Sequence, residues 1–190
     1  MAAAHAIAVA ILSDTHGQLD PRIAALVRGC DYAVHAGDIV GAGVLEQLQA
    51  RRGMVAVRGN NDSEAKWPKP EWTTLRALPW SATLELPGGV LAVTHGDRIT
   101  PVPRRHERLR RLFPEARVIV YGHSHVLTID QAATPWILNP GAAGRARTHG
   151  GPSCLVLTAS ERDWRVETRR FEFEPATRRT AAKNPRQRAD

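Results

Sequence analysis

The sequence predicts an α/β fold that opens on a parallel sheet, and three observations carry that expectation. A continuous apolar run, Ile7–Leu12, stands near the start, as a strand buried on both faces requires. Strand-like runs then alternate with helix-like segments as far as Arg58, a βαβαβ order that folds with right-handed crossovers. After that the order changes to short strands and a hairpin signal, Pro87-Gly88-Gly89.

Taken in order, Asp20 and Pro21 supply an N-cap and a first-turn proline for a helix with Ile23, Leu26 and Val27 on one face and Gly29 at its end. Residues 32–36 read as the second strand, Val44, Leu45 and Leu48 mark the second helix, and residues 54–58 read as the third strand. Residues 63–78, with Trp67, Pro68, Pro70 and Trp72, read as a long irregular loop. Residues 83–86 and 90–94 pair across the Pro-Gly-Gly turn, and Pro103 opens a short helix with Leu109, Leu112 and Phe113 on its buried side. Strands follow at 117–121, 126–129, 136–138 and 153–158. In residues 164–173 the apolar phase moves from Trp164 and Val166 to Phe171 and Phe173, which predicts a bulge.

Composition narrows the function classes. With 43% hydrophobic residues, residues 1–174 are expected to form one domain, and a chain of this size buries roughly 70% of its unfolded surface. The apolar run is far short of the roughly 20 residues that cross a bilayer, and it lacks the flank and cleavage site of a secretion signal. Cys30 and Cys154 form no Cys-x-x-Cys pair, so they indicate neither a zinc site nor a disulfide framework. A cytoplasmic protein without a membrane partner is expected. The net charge of +7 is not a nucleic-acid signature, because 23 of the 26 basic residues are Arg, a skew of composition rather than a binding pattern. Residues 175–190 hold five basic residues and one acid and, lacking an apolar period, read as a basic disordered tail.

The chemistry stands at the strand ends. Asp14-x-His16 follows the first strand, Gly37-Asp38 the second and Gly59-Asn60-Asn61-Asp62 the third. His95-Gly96 follows the second hairpin strand, and Gly122-His123-Ser124-His125 follows the strand at 117–121. Ligands of open α/β sheets bind beyond the carboxyl ends of strands, so these five loops can converge. Their donors suit a borderline divalent cation such as Mn²⁺, Fe²⁺, Zn²⁺ or Ni²⁺, and the neighbouring glycines let backbone pass close by. Each motif alone has a plainer explanation: a loop cap, an Asx turn, one face of a strand. Five in this order, each at a strand end, point to a single metal site made of Asp14, His16, Asp38, Asn60, His95, His123 and His125. His5, His35, His106 and His149 are read as structural or solvated.

The order D-x-H, G-D, G-N-x-D, H-G, G-H-x-H resembles the calcineurin-like metallophosphoesterases, in particular their small stand-alone bacterial and archaeal phosphodiesterases. The likeness spans residues 7–145, and Asn139-Pro140-Gly141 is similar to the N-P-G-S turn of that branch. It implies a four-layer αββα sandwich of two mixed sheets flanked by helices. It also implies two divalent metal ions, Mn²⁺ foremost. One would be held by Asp14, His16, Asp38 and His125, the other by Asn60, His95 and His123, with Asp38 bridging. Such a pair lowers the pKa of a bridging water and polarises phosphoryl oxygens for in-line attack.

Three positions depart from the family pattern. Asn61 stands where many members carry a histidine that protonates the leaving group. Asp97 stands where the branch tends to read a second histidine in H-G-H; it is an inert loop residue, a substitute acid or a selector of cationic substrates. Ala142 replaces the Ser of the N-P-G-S turn. Asp38, Asn60, Asn61 and Asp97 are the candidate catalytic residues, and Arg98, Arg145 and Arg147 are candidate phosphate anchors. The resulting expectation is a metal-dependent phosphodiesterase for a small phosphodiester, with a homo-oligomer left open. The alternatives are a nuclease, which needs a basic groove, and a partner-binding scaffold like the retromer subunit of this fold, which need not keep all seven donors.

Overall fold

The first apolar run becomes β1 (Ile7–Leu12), the central strand of a five-stranded sheet. Its side chains divide between two cores, Val9 and Ile11 to one and Ala10 and Leu12 to the other, which is why the run has no polar gap. The structure, a computed structural model, describes residues 6–145 and 147–173. His5 and the tail expected at 175–190 lie outside the described residues.

Helix α1 (Pro21–Val27) starts where its sequence signals put it, with the Asp20 carboxylate accepting from the Arg22 backbone N–H at 2.9 Å. Then come β2 (Tyr32–His35), α2 (Ala42–Glu46) and β3 (Gly53–Ala56), and β1, β2 and β3 pair in parallel. The expected irregular loop at 63–78 is partly helical instead. A short 3-10 turn, Lys69–Glu71, leads into α3 (Trp72–Ala77). Buried Trp67 and Leu75 dock this segment on the first sheet, so tertiary burial orders a stretch whose prolines hide any period.

The hairpin forms as β4 (Ser81–Leu86) and β5 (Gly89–Thr94). Beyond it lie α4 (Arg105–Leu112), β6 (Val118–Val120), β7 (Thr128–Asp130), β8 (Trp136–Asn139), β9 (Ser153–Ala159) and β10 (Trp164–Arg170). Leu109 of α4 is buried and Phe113 packs beside it, but Leu112 is 55% exposed. Leu112 is the last residue of α4, and the chain leaves the helix at Phe113, whose non-helical backbone brings its ring onto the core instead. The predicted bulge is also absent. β10 pairs with β9 in unbroken register from Trp164 to Arg170. Phe171 simply packs on the other face of the sheet, with the helices, so the change of apolar phase marks a change of core.

The strand orders are β10-β9-β1-β2-β3 and β4-β5-β6-β8-β7. One core lies between the sheets; a second lies between the first sheet and α1, α2 and α3; a third lies between the second sheet and α4. Two mixed sheets with helices outside give the αββα layering that the resemblance implied. Among the described residues no helix is long and apolar enough to cross a membrane.

Candidate metal centre

The loops after β1, β2, β3, β5 and β6 meet, and all seven donors form one connected group. His125 Nε2 lies 3.2 Å from Asp14 Oδ1 and 3.1 Å from His16 Nε2. Asp38 stands in the middle, its Oδ2 3.8 Å from His16 Nε2 and its Oδ1 3.4 Å from His95 Nε2. Asn60 Oδ1 completes the other side, 3.2 Å from His95 Nε2 and 3.1 Å from His123 Nδ1. Two triads present ligand atoms within 4.8 Å of one another, Asp14–His16–His125 and Asp14–Asp38–His95. The donor set fits a cation. Asp14 Oδ1 is buried without a hydrogen bond, which is costly for a carboxylate oxygen. A metal ion would give it a partner.

Supporting residues hold the loops in place. Asp14, His16, Asp38, His123 and His125 all have left-handed backbone, φ between 47 and 65°, a conformation non-glycine residues adopt at a cost where function demands it. Two glycines are sterically required. A Cβ on Gly59 would lie 2.4 Å from Asp38 Oδ1, and one on Gly122 would lie 2.8 Å from Asp14 Oδ2. Asp62, which sequence reading left without a role, clamps two loops together. Its carboxylate accepts from the backbone of Ile39, Val40 and Gly59 and from Trp67 Nε1 at 2.8–3.2 Å. Asp14 Oδ2 accepts from Ser13 Oγ at 2.7 Å and from the His123 N–H at 3.0 Å. The Asn-Pro-Gly turn has a purpose too, because Asn139 Nδ2 donates to the Gly122 carbonyl at 2.7 Å. Ala142 meets Ser153 through its backbone carbonyl, a contact that its side chain does not affect.

The sequence pattern of the calcineurin-like phosphoesterase superfamily domain matches residues 7–162. The chain belongs to this family. A probable metallophosphoesterase of Methanocaldococcus jannaschii is 29% identical over 143 residues, covering 70% of this chain and 67% of that protein. A phosphodiesterase of the same organism is 23% identical over 170 residues, covering 83% and 96%. Among solved structures, vacuolar protein sorting 29 of Cryptosporidium parvum superposes with a TM-score of 0.69 at 19% identity, covering 88% of this chain and 99% of that one. An archaeal phosphodiesterase superposes at 0.63 and 21%, covering 85% and 99%. At such identities the structures show the shared fold and nothing finer.

As a member of this family the chain is a metal-dependent phosphoesterase, and the electrostatics of the centre suit that chemistry. Burial opposes charge on Asp38, but the His95 ring and hydrogen bonds from Asn61 outweigh it and hold the carboxyl well below the usual range. Burial also opposes charge on His95, yet Asp38, the Asp14 charge and the Ala36 carbonyl raise it to about 9. Burial, then the charges of His125 and Arg147, lower the pKa of His16 against the pull of two carboxylates. Burial, His95 and Arg105 lower that of His123.

The remaining expected residues divide. Asn61 is locked onto Asp38, its backbone N–H 2.7 Å from Oδ1 and its Nδ2 2.6 Å from Oδ2. Lys66 Nζ donates to Asn61 Oδ1. Sequence reading missed this lysine, and its only signal was being one of three in an arginine-rich chain. Asp97 sits 4.0 Å from Arg98 and acts on His123 through its charge. Arg98 stacks on Trp80, 3.4 Å from the ring centroid, and Arg145 is exposed. Of the three candidate anchors Arg147 reaches the centre, its Nη2 3.1 Å from His16 Nε2. His35 is fully buried between Thr15 and the Gly37 N–H, and burial pushes its pKa down to about 4. His106 bonds Asp130 and Tyr121, and His149 is exposed.

Proposed function

We propose that this phosphoesterase hydrolyses a small phosphodiester with two divalent cations, Mn²⁺ foremost, one in each half of the donor group. The observation that carries the reading is the place of Asp38, with His16 on one carboxylate oxygen and His95 on the other. The first half would comprise Asp14, His16 and His125, the second Asn60, His95 and His123, with Asp38 between them. Bound there, the cations would supply an activated water and charge neutralisation at the phosphoryl group.

The protein's own residues position and exclude. Asn61 fixes the Asp38 carboxylate from both sides, and Asp62 sets the spacing of the loops that carry Asp38 and Asn60. Asn61 has no proton to give a leaving group, so a diester that departs as a stable anion suits this site best. The low charge of a diester favours it over a monoester as well. Cytoplasmic Mn²⁺ would serve as the supply.

The test is metal analysis of purified protein together with hydrolysis of bis-nitrophenyl phosphate. Asp38→Ala is expected to lose bound metal and lower turnover by about 10²–10³-fold, while His106→Ala leaves both unchanged. Near-normal turnover in Asp38→Ala would remove the two-metal reading.

A further inference from the structure

Arg105 is a charged residue only 6% exposed, and its surroundings do not explain its burial. Its Nε makes one long hydrogen bond, 3.4 Å, to the Ile99 carbonyl. Its guanidinium carbon lies 5.6 Å from the Tyr121 ring centroid. Among the described residues no carboxylate stands within ion-pair distance of it. Buried arginines are normally paired and hydrogen-bonded through most of their fork, and this one is not.

Its location supplies the reason. Tyr121, on which it rests, directly precedes Gly122-His123, and the ring also abuts the loop after β5: a Cβ on Gly96 would lie 3.1 Å from Tyr121 Cδ2. Arg105 therefore lies beside the loops that present His95 and His123. The charge of Arg105 is also felt at His123. A guanidinium held beside the loops that carry His95 and His123, with its fork largely unfilled, can receive a planar pair of anionic oxygens.

We propose that Arg105 is a phosphate-binding residue, receiving oxygens of the substrate phosphoryl group on the His123 side of the centre. The proposal rests on the phosphoesterase reading and adds a residue that no motif marks. It also separates Arg105 from Arg98, whose guanidinium is spent on Trp80, and from Arg147, which approaches from the His16 side.

The experiment uses inorganic phosphate as probe, with binding to the Mn²⁺-loaded protein read by calorimetry and Tm measured after chelation. Arg105→Met should weaken phosphate binding by about tenfold or more, with Mn²⁺ content unchanged. Its metal-free Tm should hold, because methionine keeps much of the buried length of the side chain and no ion pair is lost. Unchanged phosphate affinity, or a Tm loss of several degrees without an affinity change, would overturn the proposal in favour of a packing role. If Arg105→Met is too unstable to purify, Arg105→Lys decides, since it keeps the charge and loses the fork. Weaker phosphate binding at held Tm then supports the anchor, and unchanged binding overturns it. A wild type that binds phosphate but hydrolyses no ester overturns the phosphodiesterase reading and leaves the anchor standing; one that hydrolyses the ester but binds no phosphate overturns the anchor and leaves the phosphodiesterase reading standing.

Discussion

The two halves of the proposed metal centre are held by different means. In the Asp14–His16–His125 half every donor sits on left-handed backbone, and Asp14 and His125 are almost wholly buried. In the other half only His123 of its three donors is left-handed. His95 is fixed there by hydrogen bonds, 2.7 Å to the Ala36 carbonyl and 3.2 Å to Asn60, and Asn60 itself is exposed. The first half is set by left-handed main chain and a buried charge, the second by hydrogen bonds, one to a main-chain carbonyl and two to the exposed Asn60 side chain. A backbone-set site binds with little reorganisation, whereas a side-chain network can be tuned residue by residue.

The sharpest way to break this comparison is to weaken one donor in each half. Asn tolerates left-handed backbone, so Asp14→Asn leaves the loop geometry alone and removes only the charge. It should lose metal and lower kcat/KM by about 10²–10³-fold. Asn60→Ala should cost less, on the order of tenfold, with the metal of the first half retained. Equal losses of activity and metal would mean that the halves are not distinct.

A smaller effect is expected at Asn61. Protonating a poor leaving group is worth roughly 10²–10⁴-fold, and Asn61→His should recover a part of that on an alkyl ester while changing nitrophenyl ester hydrolysis little. The variant also loses the Nδ2 bond to Asp38, so metal content is measured alongside. Equal effects on both esters would place position 61 away from the leaving group.

The smallest effect separates the halves by pH. In metal-free protein the pKa of His95 is raised to about 9 by its pairing with Asp38. The stabilisation is therefore complete below the unfolded value of about 6.5 and is lost as pH rises towards 9. His16, whose pKa is lowered, contributes nothing of that sign. Chelated wild type should show Tm falling over that interval, and Asp38→Asn should flatten the slope. Mn²⁺ affinity should rise over the same interval, because binding must displace the His95 proton. A Tm independent of pH in chelated protein would mean that His95 and Asp38 do not pair.

Much of this was legible in the sequence. The run Ile7–Leu12 could only be a doubly buried strand, and Asp20-Pro21 could hardly be anything but a helix start. That the seven side chains proposed as donors meet in one group was readable, because their residue types and strand-end positions are both unusual. The proposed division of these side chains between two metals was not readable from spacing and rests on the family resemblance. α3 was hidden because its order comes from Trp67 and Leu75 docking across the chain, not from a local period. Asp62, Lys66 and Arg105 were hidden for a common reason. Nothing in a short turn, an exposed loop or an arginine-rich helix distinguishes the residue that folds in against its neighbours from those that face water.

The five left-handed donors bear on how this chain can change over generations. Each such position costs about 1–3 kcal/mol, and all are repaired most simply by glycine, which adopts that backbone freely. Substitutions such as His16→Gly or Asp38→Gly would then relieve backbone strain while destroying the centre. Selection for a sturdier fold and selection for hydrolysis thus pull these five codons in opposite directions. A descendant released from the reaction would be expected to record its retirement there first, in glycines where the acids and imidazoles had been.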